Sequence, residues 1–164
     1  MPAYATPEWI EAVAESYRAK PENQNKIFKG MSIFLSFRIQ ADPKFGLDEA
    51  IDFGTHVEDG VLQDDSVLMS REDSERKADF ILTATPHIWK RLIQKEEGFI
   101  SSFMTGKITL DKGEAPKIIA LASKSPALVD TFNRVDTEWP DDMSPQRLEE
   151  YKAQVKEFRQ RLGV

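Results

Sequence analysis

The chain has 164 residues, no cysteine, and a formal net charge of −6 from 22 basic and 28 acidic side chains. That length suits one domain with a real core. The lack of cysteine excludes disulfides, thiol catalysis and Cys-ligated zinc, and the acidic balance argues against bulk electrostatic binding of nucleic acid and weakens binding to anionic membranes.

The first segment, "MPAYATPEWIEAVAE", lacks the basic-then-apolar order of a secretory signal. Helical spacing starts at Pro7 and predicts a helix to about residue 19, with Trp9, Ile10, Val13, Ala14 and Tyr17 on one stripe. "KPENQNKIFKG" reads as a turn region ending at Gly30. Residues 31–40, "MSIFLSFRIQ", alternate: Met31, Ile33, Leu35, Phe37 and Ile39 share one face, and Ser32, Phe34, Ser36, Arg38 and Gln40 the other. This is the clearest strand in the chain.

"EAIDFGTHVEDG" predicts a second strand, with Ile51, Phe53, Thr55 and Val57 on one face and a hairpin turn at "EDG". "VLQDDSVLMS" predicts a third strand, broken or bulged at "QDD". "REDSERK" is a charged crossover, and "ADFILTAT" a fourth strand. Helical spacing resumes at Pro86 and runs to 104, with an interruption near Glu97-Gly98. "KITLD" is a fifth strand. "APKIIALASK" and "SPALVDTFNRV" are helical segments split by Ser125-Pro126. "DTEWPDDMSP" is an acidic linker, and residues 145–162 form a last helix with Leu148, Tyr151, Val155, Phe158 and Leu162 at 3-4 spacing.

Four Ser/Thr-Pro pairs precede helical patterns: Thr6-Pro7, Thr85-Pro86, Ser125-Pro126 and Ser144-Pro145. Each hydroxyl is expected to cap free backbone N–H groups, and proline at the first helical position loses nothing. Strands grouped together with helices outside them predict an α+β domain.

Catalytic signals are weak. Asp52 and His56 share a strand face, but four residues of extended chain separate their Cα atoms by roughly 13 Å. His87 sits in a first helical turn with no acidic cluster beside it. No calcium-loop spacing, nucleophile elbow or phosphate-binding glycine loop occurs. No metal, cofactor or catalytic residue is therefore expected. The apolar positions of 88–104 cover a face wide enough for two surfaces, so core and ligand wall are both open readings.

The pair "ADFILTATPHIWKRLI" and "FMTGKITLDKG", within residues 78–113, resembles the sterol carrier protein type 2 family. An apolar strand and a helix lead to a Phe-x-x-Gly-Lys-x-x-x-x-x-Gly segment, here Phe103, Gly106, Lys107 and Gly113, and the strand order extends the likeness to residues 6–135. Pro116 departs from the pattern, and residues 136–164 have no counterpart in it. The resemblance implies a five-stranded mixed sheet covered by helices over residues 1–135; the acidic linker and extra C-terminal amphipathic helix of 136–164 are read from the residue pattern alone. The resemblance also implies an apolar tunnel that binds a sterol, fatty acid, fatty acyl-CoA or other lipid reversibly and without chemistry. The wall is then expected at Trp89, Leu92, Ile93, Ile100, Phe103, Met104, Ile119, Leu121 and Phe132.

The last helix is open to three readings: docked on its own domain, a lid over the tunnel mouth, or an element pairing with a second copy or a partner enzyme. An accessory subunit that presents a hydrophobic intermediate is the alternative to a carrier. An enzyme using Asp52, His56 or His87 is the weakest reading. The longest apolar run, about "IIALA", is far short of the ~20 residues of a membrane span, and a reducing cytoplasm is the expected compartment.

Overall fold

The computed structural model describes residues 1–20 and 28–164, so most of the turn expected at 20–30 lies outside the described residues. The elements run α1 (Pro7–Arg18), β1 (Ile33–Ile39), β2 (Ile51–Glu58), β3 (Val61–Leu62), β4 (Leu68–Met69), α2 (Arg71–Lys77), β5 (Phe80–Ala84), α3 (Pro86–Ile93), α4 (Phe99–Met104), β6 (Thr109–Lys112), α5 (Ala115–Ala120), α6 (Ser125–Asn133) and α7 (Pro145–Leu162).

The sheet order is β3-β2-β1-β5-β6, with β4 also paired to β2. β1 and β5 run parallel, and the other pairs are antiparallel. This is the mixed sheet that the resemblance implies, with a sixth short strand, β4, added on β2. The strand expected at 61–70 is two short pieces, both on β2, separated at the "QDD" break. Asp59 and Gly60 both take positive φ, 48° and 80°, which gives the hairpin turn a twist matching its strands.

The charged crossover contains a helix that composition alone did not reveal. Ser70 accepts a hydrogen bond from Asp73 N, and Arg71–Glu75 and Arg76–Asp73 pair along one turn. Its polarity is explained by the sheet face beneath it. Every residue of β1 is buried, on both faces. The inner face is apolar: Ile33, Leu35, Phe37 and Ile39 join Ile51, Phe53, Val57, Phe80 and Leu82 in the main core. The outer face is half polar, with a small apolar cluster of Phe34, Met69, Ala78 and Ile81 beside Ser36, Arg38, Asp52 and Thr83.

Arg38 on that face is 3% exposed and grips Asp52 with two bonds of 2.9 Å, Nε to Oδ1 and Nη2 to Oδ2. Its Nη1 reaches Asp111 Oδ2 at 3.3 Å, and Thr83 Oγ1 donates to that same oxygen at 2.6 Å. Asp52 is therefore occupied as the partner of a buried guanidinium.

The interruption expected near Glu97-Gly98 separates α3 from α4. Lys95 adopts φ 64°, and Gly98 precedes the new helix in an extended conformation. In the glycine-bracketed segment, Gly106 takes φ 79° in open space, so its role is conformational. Gly113 takes φ 103°, and a Cβ there would meet Phe80 Cδ1 at 2.4 Å. Glycine at 113 thus lets the chain close over the start of β5.

Three of the four Ser/Thr-Pro pairs cap as expected. Thr6 accepts from Trp9 N, Thr85 from Ile88 N and Ser144 from Arg147 N. Ser125 does not. The chain reaches it through a 3-10 turn at Ala122–Lys124, so Lys124 is already in a helical conformation and no extended residue is left to cap. Ser125 Oγ donates instead to Ala122 O at 2.7 Å.

The linker and last helix pack on the domain. Glu138 forms a parallel bridge with Ala3, Trp139 is buried against Tyr4 with ring centroids 4.6 Å apart, and Lys90 Nζ binds Asp141 and Asp142. α7 buries Tyr151, Val155 and Phe158, the i, i+4, i+7 positions of its stripe. Tyr151 Oη donates to Tyr4 O at 2.6 Å, and Arg159 donates to the carbonyls of Glu49 and Ala50. The stripe is narrower than expected, because Leu162 stands exposed. Of the three readings of the last helix, the structure shows it docked on its own domain.

Candidate functional site

Between the inner sheet face and the helices lies a cavity of about 80 Å³. Its floor is Leu35 and Phe37 of β1, Phe53 of β2 and Leu82 of β5. Its far walls are Trp89, Leu92 and Ile93 of α3, Phe99 of α4, Ile118 of α5, and Leu128, Val129 and Phe132 of α6. Tyr4, Phe28 and Leu121 complete the apolar lining, and Lys124 and Ser125 are its polar members besides the Tyr4 hydroxyl.

The floor is held from both sides. Alternation on β1 and β2 aims the aromatic rings inward, where Phe37 and Phe53 stack at 5.1 Å and Phe37 meets Trp89 edge-on at 5.7 Å. Trp89 is oriented by its indole N–H, which donates to Arg38 O at 3.2 Å. The Thr85 cap starts α3 so that Trp89 and Leu92 face the sheet.

The rim differs. Ile93, Phe99, Leu121, Lys124, Ser125, Leu128 and Val129 are only half-buried, and all lie on the end of α3, on α4 or on the α5–α6 segment. The cavity comes nearest to solvent there.

Of the expected wall residues, Trp89, Leu92, Ile93, Leu121 and Phe132 border this cavity. Ile100, Phe103, Met104 and Ile119 do not. Phe103 packs half-buried on Phe99, with parallel rings 6.1 Å apart. Ile100, Met104 and Ile119 are exposed by 40%, 69% and 43%. The reason is helix phase. α4 turns Phe99 and Phe103 inward as an i, i+4 pair, which sends Ile100 and Met104 to the opposite side. In α5 Ile118 takes the buried position and its neighbour Ile119 points away.

Sequence reasoning missed Ile118, Leu128 and Val129, whose adjacency to Ile119, Leu121 and Phe132 was visible but whose phase was not. It also missed the floor residues Leu35, Phe37 and Phe53, which strand alternation could have supplied. No sequence signal pointed to Tyr4 or Lys124.

The cavity borders no residue of 136–164, so α7 is not a lid over it. The residues considered for catalysis have other partners. Asp52 holds Arg38, while His56 binds Asp65 at 2.9 Å and stacks on Phe34 at 4.7 Å. His87 is exposed in the first turn of α3. Among the described residues no group of three or more His, Asp or Glu is placed to hold a metal ion, and no helix is long and apolar enough to cross a membrane.

Solved structures share the fold. A crystal structure of sterol carrier protein 2 superposes with a TM-score of 0.66, covering 79% of this chain and 97% of its own at 20% identity. The chain has the sterol carrier protein 2 fold. A solution structure from Thermus thermophilus, described as possibly a sterol carrier protein, gives a TM-score of 0.68 over 81% of this chain and 90% of its own, at 21% identity. A palmitated sterol carrier protein 2-like protein from Aedes aegypti gives a TM-score of 0.50 over 71% of this chain and 90% of its own, at 14% identity. No protein-family model and no curated protein sequence matches the chain.

Proposed function

We propose that this chain is a non-catalytic carrier that binds a hydrophobic small molecule, a lipid or lipid-like chain, in the cavity between sheet and helices, and transfers it within the cytoplasm. The observation that carries this reading is the lining itself: apart from Tyr4, Lys124 and Ser125 it is wholly apolar. An apolar cavity with few polar anchors suits a ligand held by burial, at about 25 cal/mol per Å² of apolar surface removed from water. Residues 1–135 form the carrier unit in this reading, and 136–164 are an extension packed on it.

The volume sets a condition. A cavity of about 150 Å³ is known to take benzene, and the cavity here is about 80 Å³. A lipid chain therefore enters only if a wall moves. The half-buried α5–α6 segment supplies that wall in this reading, because its displacement leaves the sheet floor intact.

The test is a titration with the fluorescent fatty acid dansylundecanoic acid. Wild type gives saturable binding with a blue-shifted emission. Val129→Trp, which fills the cavity from α6, weakens binding by about tenfold or more while far-UV circular dichroism stays native. Unchanged binding by the filled variant would show that the probe sits elsewhere and would remove this reading.

A further inference from the structure

Three side chains in the cavity lining carry a polar end, Tyr4, Lys124 and Ser125, and their situations differ. Ser125 Oγ already donates to Ala122 O at 2.7 Å. Lys124 stands half-buried at the rim, with no side-chain partner among the described residues. Tyr4 is 1% exposed, and its hydroxyl donates to no acceptor among the described residues. The other two tyrosines are satisfied: Tyr17 Oη donates to Gly60 O at 3.1 Å, and Tyr151 Oη to Tyr4 O at 2.6 Å. A buried donor without an acceptor costs its full desolvation, and native interiors contain few of them. Phenylalanine would fill the same ring space without that cost.

The surroundings aim the hydroxyl at the cavity. Tyr4 N donates to Glu138 O at 3.0 Å, and Tyr4 O accepts the Tyr151 bond. The Tyr4 backbone therefore faces the 136–164 extension, which the cavity does not touch. The ring lies against Trp9 and Trp139, with centroids 4.9 and 4.6 Å away. What reaches the lining is the far end of the side chain.

The same surroundings select the chemistry of what it binds. Burial, and after it repulsion from Tyr151, holds the Tyr4 hydroxyl well above the ordinary tyrosine value, so it stays a neutral donor. It has no cationic partner, and a carboxylate beside it would be an uncompensated buried charge. A neutral oxygen suits it instead. The place for a carboxylate is the rim, beside Lys124.

We infer that Tyr4 Oη is a ligand-anchoring donor, and that the cavity selects a long-chain acid carrying a neutral oxygen, a hydroxyl or keto group, on its buried chain, with the carboxylate outward at Lys124. The inference rests on the carrier reading and adds a preference that a purely apolar wall does not supply. A plain chain of the same length gains similar burial but leaves the Tyr4 donor unanswered.

Displacement of dansylundecanoic acid from the full chain tests it. Dodecanoic acid is set against hydroxydodecanoic acids whose hydroxyl sits at successive carbons from the middle of the chain to its end. In wild type at least one hydroxy acid displaces the probe at a concentration about fivefold lower than dodecanoic acid does. Tyr4→Phe brings that ratio to about one or below. Lys124→Gln weakens every acid together and keeps the ratio. A measurement on wild type needs no variant: with carbon-13 at tyrosine Cζ, the Tyr4 resonance moves further downfield with the preferred hydroxy acid than with dodecanoic acid.

Equal displacement by dodecanoic acid and every hydroxy acid overturns the inference and leaves the carrier reading standing. So does a preference that survives in Tyr4→Phe, because another donor would then hold the oxygen, and so does a Tyr4 resonance that responds alike to both acids. Failure of wild type to bind dansylundecanoic acid or any of the acids removes the carrier reading, and this inference with it.

Discussion

The two sides of the cavity are built by different means. On one side the sheet is reinforced through its outer face by buried Arg38 and Asp52, and the helices α1, α2 and α7 around it each begin at a hydroxyl cap, Thr6, Ser70 and Ser144, as does α3 of the far wall at Thr85. On the other side α4, α5 and α6 begin with no side-chain cap, α4 and α5 have six residues each, and much of their apolar surface is half-buried. Uncapped ends leave backbone N–H groups to water, and short helices gain little from cooperativity. The contrast teaches where the molecule can open. Local unfolding follows low burial and exposed backbone bonds, and here those coincide with the wall between cavity and solvent.

The comparison can be broken by removing the frame's strongest element. Arg38→Ala strands Asp52, whose side chain is 3% exposed, as an uncompensated buried charge. A loss of about 3–5 kcal/mol is expected in urea unfolding. A loss under about 1 kcal/mol would mean that the pair does not brace the sheet.

Alkaline titration gives the next largest effect. Burial holds the Tyr4 and Tyr151 hydroxyls well above the ordinary tyrosine value, with charge repulsion between the two adding to the shift at Tyr4. In the unfolded chain both titrate near 10. Above that pH the unfolded state loses protons that the native state keeps, so stability is full below about pH 10 and declines as pH rises beyond it. Tyr151→Phe removes one of the two groups and shallows the decline. An identical slope in the variant would contradict the assignment.

Capping sharpens the comparison at the smallest scale. Thr85→Ala removes the bond accepted from Ile88 N and should cost about 1 kcal/mol. Ser125→Ala removes only a local bond to Ala122 O and should cost less than about 0.5 kcal/mol. Equal costs in thermal unfolding would show that Ser125 caps α6 after all.

Much of the frame was legible in the sequence. The alternation of "MSIFLSFRIQ" gave β1 its two faces, and three Ser/Thr-Pro pairs marked helix starts. The fourth misled because a cap requires an extended residue, and the 3-10 turn that denies it at Lys124 leaves no composition signal. The polar side of β1 was visible as Ser36 and Arg38, but its burial depends on Asp52 arriving from β2 and Asp111 from β6, which no local pattern reports. At the cavity, strong periodicity in α3 placed Trp89 and Leu92. In helices of six residues a one-residue phase error exchanges Ile118 for Ile119, and that is why the rim was the least legible part. The last helix was readable as amphipathic, whereas its docking partners, Tyr4 and the Glu49–Ala50 backbone, lie more than a hundred residues away in the chain.

The most direct test of the account is native-state hydrogen exchange with and without dansylundecanoic acid, comparing amides of residues 115–133 with those of β1 and β5. The account predicts that the α5–α6 amides exchange through a local opening well below the free energy of global unfolding, that the strand amides exchange only on global unfolding, and that the probe slows the first set while the second changes only as global stability does. Exchange of both sets together, with no selective protection by the probe, would contradict it.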